Sequence, residues 1–181
     1  YRPQMATVRP GVMKLAEAQP GKQGEVEDFK VEFTPEDMNV TIKEVIKETK
    51  KAVDITDAKV LVSGGRGIGS ADYYKELQKV ADLLGGEISS SRANVDAGWI
   101  AKDRQVGQTG KTVRPDLYLA CGISGAIQHI AGMENSECVI SINKNDTAAI
   151  FDVSDLGIVG DVKVIIPKLI DALTKYKAAQ N

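Results

Sequence analysis

Histidine, cysteine and tryptophan are scarce in this chain, with one His, two Cys and one Trp among 181 residues. One imidazole and two thiols, Cys121 and Cys138, without C-x-x-C spacing, argue against zinc sites, iron–sulfur clusters and a disulfide scaffold. An excess of charge of one sign is missing too: 23 basic residues face 25 acidic ones, and no block of like charges stands out. Electrostatics therefore gives no support to a nucleic-acid or anionic-membrane surface. No apolar run approaches the roughly 18 to 20 residues that span a bilayer, and Tyr1-Arg2-Pro3-Gln4-Met5 lacks the shape of a signal peptide. A reducing compartment is the default expectation, and the absence of an initiating Met suggests a fragment. What is present, 43% hydrophobic and 27% charged residues, is the profile of one globular domain with a real core.

Up to Gly24 the chain reads as an extended arm, because Pro3, Pro10, Gly11, Pro20, Gly21 and Gly24 interrupt every regular run. Between 25 and 33, Phe29, Val31 and Phe33 alternate with Asp28, Lys30 and Glu32, the period of a half-buried strand, and Thr34-Pro35-Glu36-Asp37 then reads as a turn. Val40 and Ile42 continue the alternation, although Ile42, Val45, Ile46 and Thr49 also fit a helix; a hairpin partner strand is the preferred reading. Residues 1–58 are thus expected to be an arm and β-hairpin that pack on the domain or on a missing partner. From 59 to 181 short apolar strands alternate with amphipathic helices. The expected fold is α/β: a doubly wound, mostly parallel, Rossmann-like sheet flanked by helices. Its strands are 60–62, 87–91, 117–121, 138–142 and 149–152, with a helix over 71–84 and a closing helix over 162–176 that must accommodate Pro167.

Ser63-Gly64-Gly65-Arg66-Gly67-Ile68-Gly69-Ser70 follows a strand and opens a helix, where free backbone N–H groups and the helix dipole can hold a pyrophosphate. A tight turn with no ligand is the bland alternative, and strand, glycines, Arg66 and helix together favour phosphate. An NAD-binding unit should then carry an acidic residue at the end of the second strand. Here Glu87 stands at the start, and the end carries Ser89-Ser90-Ser91-Arg92, followed by Asn94 to Trp99 as a well-specified turn. In Gln105-Val106-Gly107-Gln108-Thr109-Gly110-Lys111-Thr112, Gln105 occupies the first glycine of a Walker A loop, so a nucleotide triphosphatase is rejected. The same amides and hydroxyl can instead hydrogen-bond a planar heterocycle. In Cys121-Gly122-Ile123-Ser124-Gly125-Ala126-Ile127-Gln128-His129, Ser124 is the expected N-cap, and the only His lies about one turn into a helix. A ligand-facing His and a satisfied core His are equally good readings there. Ser124 and His129 have no acidic orienter, which speaks against hydrolase chemistry. Ile142-Asn143-Lys144-Asn145 and the 155–161 stretch end strands where a crevice should open; helix capping is the alternative for Asp161.

Read in order, Gly64-Gly65-Arg66-Gly67, Ser91-Arg92-Ala93 with Val95-Asp96, the 105–111 stretch, Ser124-Gly125-Ala126-Ile127-Gln128-His129 and Asp155-Leu156-Gly157-Ile158-Val159-Gly160-Asp161 closely resemble the alpha subunit of electron transfer flavoprotein, in its C-terminal, FAD-binding domain. The resemblance extends to the arm, Arg2 to Gly11, so it covers nearly the whole chain. It implies one bound FAD, with Arg66, Ser91, Val106, Gly107, Gln108, Thr109, Ser124, Gly125, Ala126, Ile127, Gln128, His129, Asn143 and Asp161 as flavin contacts and Arg92 over the isoalloxazine. By the same resemblance Thr109 addresses N5, His129 donates near the N1/O2 edge, Asn143 and Asp161 belong to the adenosine end, and Arg66 lies near the phosphates. A guanidinium and an imidazole donor there would stabilise a reduced flavin's negative charge. Asn145 stands where the family usually has an acidic residue, which puts the local adenine contacts in question.

The function so implied is that of an electron carrier, not an enzyme in its own right. It would work with a beta subunit, accept electrons from flavin dehydrogenases such as acyl-CoA dehydrogenases and pass them on. In some members a second flavin allows electron bifurcation. The implied compartment is the bacterial cytoplasm or, in a eukaryote, the mitochondrial matrix, with no nucleic-acid partner and no membrane insertion. Two rivals are an NAD-dependent enzyme domain of related fold and a nucleotide-binding interaction module without redox work.

Overall fold

A computed structural model of the chain describes residues 1–8, 13, 16–17, 19–21, 23–38, 40–44 and 53–180. They fall into two units, Tyr1–Met13 with Val53–Asn181, and Lys14–Ala52. In the larger unit five parallel strands, β1 (Val60–Gly64), β2 (Glu87–Ser90), β3 (Leu117–Cys121), β4 (Val139–Asn143) and β5 (Leu156–Val159), form one sheet in the order β2-β1-β3-β4-β5. This is the doubly wound α/β fold expected from the strand–helix alternation.

The central strands are apolar on both faces because both are covered. On one face Leu61, Tyr118 and Ala120 pack with Ile55, Val106, Val113, Ile123, Met133 and Ile150. On the other, Val62, Leu119 and Cys121 meet Leu77, Val80 and Ala81 of helix α1 (Tyr74–Leu84) and Val162 and Ile166 of helix α4 (Val162–Gln180). Gly85 ends α1 in the left-handed conformation at φ 67°, its N–H donating back to the Ala81 and Asp82 carbonyls. Pro167 lies inside α4 and gives up the hydrogen bond to the Lys163 carbonyl, yet the helix runs through it. Two further helices are single turns, α2 (Arg92–Asp96) and α3 (Ile127–Ile130). Of the segment expected to be a turn over 94–99, the first half completes α2 and the turn follows at Ala97 and Gly98, the latter at φ 70°.

One strand differs from expectation. Residues Ala149–Val153 form a 3-10 turn, and the fifth strand is Leu156–Val159. The apolar run 149–152 imitates a strand because the turn buries Ile150 and ties its N–H to the Ser124 carbonyl. The actual strand is an exposed edge with Gly157 in its middle, so it lacks the apolar signature of its neighbours.

In the smaller unit Pro35–Asp37 is one 3-10 turn, where the predicted turn lies. The Thr34 N–H and hydroxyl both donate to an Asp37 carboxyl oxygen, at 2.9 and 2.7 Å, and hold that carboxyl below its ordinary pKa. The described residues of 25–33 and 40–44 form no strand, contrary to the hairpin reading. Alternation favours a strand only where one face is covered, and Val26, Phe29, Val31, Phe33, Val40 and Ile42 are all exposed. Val45, Ile46 and Thr49, the residues of the helical alternative, lie outside the described residues, as do Arg9, Pro10 and Gly11 of the arm. No helix of the described residues is long and apolar enough to cross a membrane. No cluster of three or more His, Cys, Asp or Glu among them could hold a metal ion.

Candidate functional site

Between β1 and β3 the winding of the chain reverses, and in open parallel sheets the carboxyl ends of the strands beside such a reversal open into a crevice. A cavity of about 670 Å³ lies there. Its walls come from the loop after β1 (Arg66 between Gly65 and Gly67), the start of α2 (Ser91, Arg92), the 105–109 loop (Val106, Gly107, Thr109), the β3–α3 segment (Ser124, Ala126, Gln128, His129) and Asn143 at the end of β4. The loops approach so closely that glycine is required: a Cβ on Gly65 would collide with the Gly122 carbonyl oxygen, and one on Gly125, at φ 88°, with the Ile150 nitrogen. That second turn leads into α3 with Ala126 as its N-cap, so Ser124, expected in that role, stands two residues before the cap. Among the described residues the N–H groups of Ser124, Gly125 and Ala126 take no backbone partner, and such a run of free donors suits an anionic ligand group.

His129 forms the buried part of the wall. It is 6% exposed, and its Nε2 lies 3.0 Å from the Tyr118 hydroxyl, which in turn donates to Ser63 Oγ at 2.8 Å. Burial drives its pKa down to about 4; the Val106 carbonyl favours the protonated ring but offsets only part of that penalty. His129 is therefore neutral at pH 7. Its other nitrogen, Nδ1, is buried and makes no hydrogen bond among the described residues, the kind of orphaned polar atom that a ligand can satisfy.

Arg92 supplies charge from a more open position. Its Nε pairs with Asp96 at 3.2 Å, with both side chains more than 60% exposed, a weak pair that a stronger anionic partner can replace. Beneath it the hydroxyls of Tyr74 and Ser90 lie 2.6 Å apart, and Asn94 Nδ2 donates to Tyr74 Oη at 2.8 Å and to the Gly64 carbonyl at 3.2 Å. This buried knot fastens the start of α2 to the glycine-rich turn. The 105–111 loop is held from outside: Arg104 donates to Glu87 at 2.7 Å, Lys111 to Asp54 at 2.8 Å, and Gln108 N–H to the Gln128 carbonyl at 2.7 Å. The Lys111 hydrogen bond, with the Thr56 N–H, lowers the Asp54 pKa to about 2. Within the loop Gln105 Nε2 donates to Thr109 Oγ1 at 3.0 Å.

Most of the residues singled out in the sequence meet at this cavity. Gln108, Gly125 and Ile127 do not line it: Gln108 braces the loop through its backbone, Gly125 makes the turn, and Ile127 is exposed. Asp161 lines a second cavity of about 250 Å³, which shares Arg66, Gly67, Gly122 and Asn143 with the first and adds Lys144 and Lys163. Asp161 also caps α4, its carboxyl accepting from Lys163 N–H at 2.8 Å, while Asn143 Nδ2 donates to the Ile123 carbonyl at 2.8 Å. Ala93, Gln105, Gly122 and Ile123 line the cavity without being named as flavin contacts, although each lies within a motif stretch and the Gln105 amide is read as able to meet a heterocycle. At the carboxyl end of β2, where an NAD-binding unit would place an acid, stand Ser91 and Arg92.

A doubly wound sheet with a glycine-rich turn, free backbone donors and cations around a crevice at its switch point defines a nucleotide-binding domain. A family model described as Electron transfer flavoprotein FAD-binding domain matches residues 54–134. The chain is 53% identical over 97% of its length to electron transfer flavoprotein subunit alpha of Thermoanaerobacterium thermosaccharolyticum, of which it covers 53%. It is 49% identical over 99% of its length to the acryloyl-CoA reductase electron transfer subunit beta of Anaerotignum propionicum, covering 50%. It is 50% identical over 75% of its length to the mitochondrial electron transfer flavoprotein subunit alpha of Dictyostelium discoideum, covering 39%. The chain is thus similar to electron transfer flavoprotein alpha subunits over nearly its whole length, and spans about half the length of the curated relatives it matches.

Proposed function

We propose that the domain holds one FAD across the two cavities and serves as the flavin-bearing half of an electron carrier, not as an enzyme in its own right. The observation that carries this reading is the convergence of the loops after β1, β2, β3 and β4 on one cavity that receives both Arg92 and His129. Bound there, the flavin supplies the redox chemistry. Arg92 brings positive charge to the ring, Thr109 offers its hydroxyl, and His129 sets a neutral imidazole against the ring edge. The free N–H groups of Ser124 to Ala126 and the Arg66 side chain hold the phosphates, and Asn143 and Asp161 face the adenosine end. An orphaned imidazole nitrogen and unpaired backbone donors on the wall fit such a ligand.

The names of the relatives extend the proposal to partners: a beta subunit completes the carrier, and a flavin enzyme acting on acyl-CoA thioesters exchanges electrons with it. In this reading residues 1–58 pack on the domain or on parts of a longer protein, and the compartment is the bacterial cytoplasm or the mitochondrial matrix. The test is the visible absorption of the chain after FAD is added and the excess removed, then potentiometry of wild type and Arg92→Ala. A retained flavin whose potential falls on removal of the guanidinium supports the proposal; a folded but colourless chain, or equal potentials, overturns it.

A further inference from the structure

Ser63, Tyr118 and His129 are buried together on a face of the sheet that is largely aliphatic, with Ser89 and Ser141 as its other buried hydroxyls. Ser63 comes from β1, Tyr118 from β3 and His129 from α3, so the line of hydroxyls and imidazole runs from the middle of the sheet to the cavity wall. A phenylalanine in place of Tyr118 would fill the same space without a buried hydroxyl that needs partners. The hydroxyl does something that packing does not require.

Its proton count shows what. Tyr118 has one proton, and the geometry directs it to Ser63 Oγ at 2.8 Å. The Tyr118 oxygen then has only lone pairs to offer His129 Nε2 at 3.0 Å, so the proton in that hydrogen bond must come from the imidazole. We propose that Tyr118, held by Ser63, is the positioning residue that fixes His129 in the Nε2–H tautomer and leaves Nδ1 with a bare lone pair. Burial keeps the ring neutral, so no second proton is present to mask the choice. The Val106 carbonyl pulls the other way, since it favours a proton on the ring facing it, but Nδ1 completes no hydrogen bond with it. The ligand-free site therefore meets an incoming molecule with an acceptor at Nδ1. It offers a donor there only after the ring has taken up a proton. The tautomer does not depend on which ligand binds; its meaning for a flavin rests on the proposed function.

Because His129 is the only histidine, the ring nitrogens are read without assignment in a long-range 1H–15N spectrum of the ligand-free chain at neutral pH. Wild type is expected to show a protonated, pyrrole-type Nε2 and a pyridine-type Nδ1. Tyr118→Phe should average the two nitrogen shifts, while the backbone amide spectrum stays native-like. Ser89 lies beside Ser63 in register and places a second hydroxyl near Tyr118, so the variant that redirects the Tyr118 proton is Ser63→Ala with Ser89→Ala. There the tyrosine has only Nε2 to donate to, and the proton pattern should reverse to Nδ1–H. A wild-type ring protonated at Nδ1, or a folded double-serine variant with the wild-type pattern, overturns the proposal. Retention of FAD by these chains is scored separately by absorption, so failure of the flavin reading leaves the tautomer result standing.

Discussion

The two sides of the cavity are built on opposite principles. On the β3 side His129 is buried, neutral and tied through Tyr118 to the middle of the sheet. On the β2 side Arg92 is charged, mostly exposed and held only by a neighbouring carboxylate one helical turn away. The first side is costly to alter because its groups have no water to fall back on. The second contributes little to the fold and can be spent on the ligand. A single cavity thus combines a rigid, pH-protected edge with an adjustable electrostatic one.

The comparison is broken most severely at Gly125. Gly125→Ala places a methyl group on the Ile150 backbone at φ 88° and should cost about 3 kcal/mol or more, read as a lower urea midpoint at unchanged m-value. Acid acts on the same side. The His129 pKa is about 4 when folded and near its ordinary 6.5 when unfolded, so the unfolded chain takes up the proton first. Stability from this group is complete above pH 6.5, declines between 6.5 and 4 and is flat below. The loss is roughly 3 kcal/mol, and His129→Gln should remove that part of the pH dependence in denaturant titrations.

Arg92→Ala sharpens the contrast from the other side. It should change the unfolding free energy by less than about 0.5 kcal/mol and yet weaken FAD binding about tenfold, roughly 1.4 kcal/mol, as measured by fluorescence quenching of the flavin. Equal losses of stability and affinity would erase the distinction between the two sides. The smallest effect is expected at Asp54→Asn, which removes the half-exposed partner of Lys111. It should lower stability by at most about 1 kcal/mol and speed hydrogen exchange in the 105–111 loop first.

Four strands, both long helices and the switch-point crevice were legible because buried parallel strands and amphipathic helices write their burial directly into residue pattern. The fifth strand was not, since an exposed edge around Gly157 carries no such pattern while the turn burying Ile150 imitates one. Along 25–33, Phe29, Val31 and Phe33 alternate as in a half-covered strand, yet these residues are exposed and form no strand among the described residues. At the site, the glycines, Arg92 and His129 could be read from their chemistry. Tyr118 could not, because in sequence it is one more aromatic residue in an apolar strand, and only the fold brings its hydroxyl to Ser63 and His129.

The central claim is that a flavin sits in the cavity against His129. Titrating the chain with FAD while observing the His129 imidazole resonances tests it most directly. The account predicts a shift that saturates at one equivalent of FAD and is absent with riboflavin at the same concentration, because the nucleotide end is needed for tight binding. Bound FAD that leaves the imidazole unmoved, or a folded chain that binds none, would contradict it.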